Sequence, residues 1–108
     1  MSDSSLSGRR MIMSLVKMKE LLERAQKNKI GCGAFSVGNM EMVRGAIQTA
    51  EELDTPIILQ IAEVRLKHSP LHLMGPMMVQ AAKEAKVDVA VHLDHGLTFE
   101  TVQKALEL

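Results

Sequence analysis

Apolar positions along the chain follow two alternating rhythms. Leu15, Met18, Leu21, Leu22 and Ala25 stand at helical spacing among Lys and Glu, which predicts an amphipathic helix over about 15–28. A short apolar run with two glycines, I-G-C-G-A-F-S-V, predicts a strand over 30–37. Gly38-Asn39 punctuates it, and Asn39 is a suitable N-cap for the next helix. Val43, Ala46, Ile47, Ala50 and Leu53 mark that helix's inner stripe, and Thr55-Pro56 breaks it after Asp54. The uninterrupted run I-I-L-Q-I-A predicts a second strand over 57–62, of the kind buried on both faces in parallel sheets. A polar loop follows over 63–69, with Pro70 placed to enter a helix's first turn. That helix carries Met74, Met77, Met78, Ala81, Ala82 and Ala85 on one side. A third strand is predicted over 87–93, and Thr98 caps a last helix with Val102, Ala105 and Leu106 facing inward.

The order is thus one helix and then three strand–helix units, each of roughly 30 residues as a βα repeat requires. Alternating β and α elements joined by short connections imply an α/β fold with a parallel sheet. Two architectures are open: a doubly wound sheet, or the first three βα units of a (β/α)8 TIM barrel. A whole barrel needs about 250 residues, and this chain has 108.

Composition narrows the partners. Basic and acidic residues balance at 13 each, which argues against a nucleic-acid groove or an anionic membrane surface. Phe35 and Phe99 are the only aromatics, too few for stacking on bases or sugars. No apolar run approaches the roughly 20 residues of a membrane span. The single cysteine, Cys32, fits a reducing, cytoplasmic setting and reads as a small buried residue. Residues 1–14 are Ser-rich with two arginines and lack a secretory core. They are expected to be a disordered leader or a start-site artefact, with Met11 or Met13 as an alternative start, leaving 15–108 as the folded part.

Candidate chemistry concentrates in Val91-His92-Leu93-Asp94-His95-Gly96, where the third strand ends. The C-terminal ends of parallel strands are where α/β proteins bind ligands. If the backbone turns there, Asp94 and His95 both reach one mouth, Asp94 as a general acid or base and His95 as a metal ligand. The plainer alternative is a polar strand end with Asp94 capping a turn. His92 shares the Asp94 face, as a core residue or as one that orients its neighbours. Ser36, Gln60 and Glu63 end the first two strands on the same rim and are candidate substrate contacts. His68 and His72 are four apart, but Pro70 between them favours His68 as a loop residue at the mouth that touches substrate.

From about Leu15 onward the chain resembles the N-terminal third of the class II, zinc-dependent ketose-bisphosphate aldolases, the family of the fructose- and tagatose-bisphosphate enzymes. The resemblance rests on Gly33-Ala34-Phe35-Ser36-Val37 with Asn39, on Thr55-Pro56-Ile57-Ile58-Leu59-Gln60, and above all on Val91-His92-Leu93-Asp94-His95-Gly96. It implies a TIM barrel and zinc-dependent, reversible cleavage of a phosphorylated ketose by a dimer or tetramer. It also implies that Asp94 moves the proton of the substrate C4 hydroxyl, and that His95 is one of three histidine ligands to Zn2+. Ser36 stands where the family commonly has Asn, and Ala62 where it commonly has Ser. Both departures lie near the substrate position and point to a neighbouring subgroup acting on another phosphorylated ketose. The basic loop Arg65-Leu66-Lys67-His68-Ser69-Pro70 fits an acidic or phosphorylated end. The other two zinc histidines and the phosphate loops come later in the family, so the 108-residue chain is expected to be inactive alone. Two other readings stay open: a different metal-dependent barrel, such as a hydrolase using His92, Asp94 and His95, and a non-enzymatic, self-associating α/β domain.

Overall fold

The computed structural model describes residues 14–108. The expected leader therefore lies outside the described residues, except for Ser14. Helix α1 covers Met18–Lys27 and buries Leu21 and Ala25. It starts three residues later than its periodicity predicts. Residues 14–16 are extended and run beside the third strand: the Val16 amide donates to the Val89 carbonyl at 3.0 Å, and the Val89 amide to the Ser14 carbonyl at 2.8 Å. Leu15 thus serves a parallel bridge to Val89 rather than a helix stripe. A partner this distant in sequence overrides local helical spacing.

Strand β1 is Ala34–Ser36, shorter than the predicted 30–37. Gly31 and Gly33 have no side chains to pack, and a Cβ on Gly33 would sit 2.6 Å from the Phe35 ring. Pairing still extends one residue each way, through the Gly33 carbonyl and the Val37 amide. Helix α2, Met40–Glu52, begins where Asn39 accepts the Met42 amide at 2.8 Å. Replacing Asn39 by Ala is expected to cost about 1 kcal/mol, measurable as a lower urea midpoint. Leu53 and Asp54 end the helix, with Asp54 in the left-handed region at φ 50°. Strand β2 is Ile57–Ala62, as predicted, and a 3-10 turn follows at Glu63–Arg65.

Helix α3, Leu71–Glu84, starts after Pro70 and buries Met74, Met78 and Ala82, three of the six residues predicted for its inner side. Pro76 stands inside it on the exposed side. A proline there forgoes one helical hydrogen bond, and packing of the neighbouring methionines holds the helix through it. Strand β3 is Val89–Asp94, and Val87 and Asp88 lead into it. Helix α4, Phe99–Leu106, is capped by the Thr98 hydroxyl accepting the Thr101 amide at 3.1 Å. Its expected inward face is not buried: Val102 is 38% exposed and Leu106 82%. That side of α4 meets only part of α3 and leaves a half-open cavity of about 510 Å³ against β3, lined by Leu71, Met78, Val91 and Leu106 among others.

The three strands are parallel in the order β1-β2-β3. Side chains alternate between two faces. Ile57, Leu59, Ile61 and Val89 pack with α2 and α3 in the main core, together with Val43, Ile47, Met74 and Met78. On the opposite face Ile58 and Ala90 meet Leu21 of α1 at the strands' N-terminal ends. Helices α2 and α3 thus cover one face, whereas a doubly wound sheet has helices on both. The other face is open toward the strands' C-terminal ends. Among the described residues no helix is long and apolar enough to cross a membrane.

Candidate active site

The open end of that second face carries polar residues in register. Ser36 pairs with Gln60, Gln60 with His92, and Ala62 with Asp94, so all five share one face of the sheet. The Gln60 amide bridges the three strands: its Nε2 donates to Ser36 Oγ at 3.2 Å and to Asp94 Oδ2 at 3.3 Å. His92 Nε2 lies 3.8 Å from Asp94 Oδ1, and His95 Nε2 lies 3.6 Å from Asp94 Oδ2. His95 would point to the other face on a straight strand. It has φ 53°, a left-handed turn uncommon outside glycine, and this brings its ring back to Asp94. Asp94 is thereby the centre of the group, with a side chain 28% exposed against 73% for His95.

Glu63 and His68 are not part of this cluster. The Glu63 carboxylate accepts the Leu97 amide at 2.5 Å, the Thr101 hydroxyl at 2.9 Å and the Thr98 amide at 3.3 Å. The Thr98 hydroxyl lies 3.5 Å away. Both oxygens are engaged at the start of α4, an outcome with no local sequence signal because the partners lie more than 30 residues away. Burial alone pushes the Glu63 carboxyl up, but the bonds from Leu97, Thr101 and Thr98 outweigh it and hold the carboxyl below the usual value. This cap is therefore fully effective above the ordinary glutamate range and is lost as pH falls through the lowered value. The unfolding free-energy difference between the native chain and Glu63→Gln should shrink on acidification from neutral pH to about 3.

His68 is exposed in the turn before α3, its amide bonded to the Arg65 carbonyl at 3.0 Å. Among the described residues its ring makes no hydrogen bond to the Asp94 group. His72 lies within α3, so the two histidines do not share a helical face. Arg65, the first residue of the basic loop, packs its guanidinium over Gly38 so closely that a Cβ there would meet its Nε at 2.4 Å. Cys32 is half-buried beside Leu21, Ile58 and Ala90, and burial pushes its thiol up.

The rim is thus a carboxylate at the end of β3, flanked by two imidazoles and tied across β2 to β1. The model of the family described as fructose-bisphosphate aldolase class-II matches residues 16–108. The chain belongs to the class II fructose-bisphosphate aldolase family. A fructose-bisphosphate aldolase of Thermus caldophilus is 44% identical over 92 residues, covering 85% of this chain and 30% of the relative. A sulfofructosephosphate aldolase of Alkalicoccus urumqiensis is 34% identical over 96 residues, with 89% and 33% covered. The crystal structure of the YdjI aldolase of Escherichia coli K12 superposes with a TM-score of 0.82 at 29% identity, covering 86% of this chain and 36% of that one. This class II chain thus has the fold of part of a TIM-barrel aldolase and spans about a third of the length of the relatives it matches.

Class II aldolases are metal-dependent. Among the described residues no group of three or more His, Cys, Asp or Glu side chains is arranged to hold a metal ion. Catalytic zinc sites take three protein ligands. The described residues do not by themselves fit a complete centre.

Proposed function

We propose that this chain carries the acid/base half of a class II aldolase site that cleaves a phosphorylated ketose. The Asp94 arrangement is the observation that carries the reading. Gln60 donates to Oδ2, and among the described residues Oδ1 accepts no hydrogen bond. Oδ1 takes the proton of the substrate C4 hydroxyl. The C4 oxygen then forms a carbonyl as the C3–C4 bond breaks, and the electron pair passes to C3 as an enediolate. The reverse direction returns the proton from Asp94. His92, near Oδ1, orients the carboxylate. The Ser36 hydroxyl accepts from Gln60 and keeps its own hydrogen for a substrate oxygen, while the Gln60 carbonyl oxygen is unengaged among the described residues.

His95 is assigned as one ligand of a zinc ion whose other ligands lie outside the described residues. The substrate is fructose or tagatose bisphosphate or a related ketose phosphate. Ser36 and Ala62 favour a subgroup other than the bisphosphate enzymes, and the likeness to a sulfofructosephosphate aldolase is in keeping with that. His68 and the basic loop from Arg65 stand as candidate contacts to an acidic end. The setting is cytoplasmic.

The test compares zinc content and retro-aldol activity of this chain with those of a version extended through the remaining barrel strands. The reading expects zinc and cleavage in the extended protein and neither in the short chain. An extended protein with no zinc and no cleavage of any ketose phosphate contradicts it.

A second reading, a self-associating α/β domain, is favoured by the exposed stripe of α4, where Phe99 and Leu106 are 81% and 82% exposed. Sedimentation of the chain decides this reading. A monomer rules it out.

A further inference from the structure

We propose that Glu63 is a positioning residue for His95: its carboxylate holds the loop after β3 and so fixes the turn that returns the imidazole to Asp94. The functional weight of this inference rests on the reading of His95 as a site residue. The geometry does not.

Ala62 is in register with Asp94. Glu63 therefore leaves β2 beside the point where the chain leaves β3. At that point His95 adopts a left-handed backbone, which few residues other than glycine take up. Such a conformation persists when its surroundings determine it. Two residues on, the Leu97 amide donates to Glu63 Oε1 at 2.5 Å, and the Thr98 amide reaches the same oxygen at 3.3 Å. Glu63 Oε2 accepts the Thr101 hydroxyl at 2.9 Å. Among the described residues no other side chain outside α4 hydrogen-bonds to residues 95–98.

At Gly96 the loop also lies against α4, where a Cβ would sit 2.8 Å from Val102 Cγ2. Glu63 thus joins the end of β2 to the exit of β3 and the start of α4. Its donors belong to the loop after β3 and to the first turn of the helix that loop enters. This differs from the substrate contact that its rim position predicts, because both of its oxygens are already engaged.

The test is made by NMR on the full 108-residue chain with Glu63→Leu and Glu63→Gln. Two readouts are followed: exchange of the Leu97 and Thr98 amides, and the His95 amide-to-α-proton coupling, which reports its φ. With Glu63→Leu, Leu97 exchange should accelerate by roughly tenfold to a hundredfold, as for loss of a bond to a charged acceptor. The His95 coupling should leave the left-handed value, while the Ile47 amide in α2 keeps its protection. Glu63→Gln, whose amide oxygen still accepts, should move both readouts in the same direction by less. A Leu97 amide already unprotected in the native chain, or a His95 coupling unmoved by Glu63→Leu, overturns the proposal. If Glu63→Leu unfolds the chain, as loss of Ile47 protection would show, Glu63→Gln decides: both readouts unchanged overturns the proposal. Neither readout needs zinc or cleavage, so a failed aldolase reading leaves this result standing, and a failed latch leaves Asp94 as acid/base.

Discussion

Replacing Asp94 by alanine is expected to lower retro-aldol cleavage by about 10²–10⁴-fold in a form of the protein extended through the whole barrel. Removing a positioned general base typically has an effect of that size, and three features position this one. The carboxylate stands at the end of the parallel pairing of β3 with β2, its side chain is mostly shielded, and the Gln60 amide fixes one oxygen. Steady-state cleavage of the ketose phosphate turned over by the unmodified extended protein is the measurement. The loss should appear in kcat, because the proton moves in the chemical step and the carboxylate contributes little to holding the phosphate end. A loss confined to KM would instead make Asp94 a binding residue.

The second large effect concerns the fold. Leu59→Ala should destabilise the chain by about 2–5 kcal/mol. Leu59 is 0% exposed at the middle of β2 and packs into the main core with residues of α2 and α3. Removing its side chain leaves a cavity between elements that cannot close over it without shifting the sheet. Small domains have only about 5–15 kcal/mol of total stability, so the variant should lose a large share of it or fail to fold. Urea denaturation measures the change. Phe99→Ala is the useful contrast: the ring is 81% exposed, and its loss should shift stability by no more than about 0.5 kcal/mol. Similar values for both would place the core elsewhere.

Much of this was legible in the chain itself, where local chemistry and tertiary packing agree. The apolar run of β2 reads directly as a strand because one of its faces is covered along its length and the other at its N-terminal half. The caps at Asn39 and Thr98 are readable because each satisfies an amide only three residues away. The rim was legible too, since period-two alternation puts Gln60, His92 and Asp94 on a shared face once the sheet is parallel. What failed depends on distant partners. Leu15 has helical spacing but pairs with Val89. Glu63 has a rim position but is taken up by donors at 97–101. The inward face of α4 has correct periodicity, yet among the described residues it meets too little to be buried. Periodicity names the face a helix would bury and says nothing of whether a partner is there. His95 lies between these cases: the turn that returns it to the mouth was expected from its place at a strand end, and the left-handed φ supplies it.

The most direct measurement is zinc content and retro-aldol rate on one sample of the extended protein carrying Asp94→Asn. This change keeps the size of the side chain and leaves His95 in place, while the amide cannot accept the C4 proton. The account predicts zinc bound as in the unmodified protein and cleavage reduced by at least about a hundredfold. Full zinc content with an undiminished cleavage rate would contradict it.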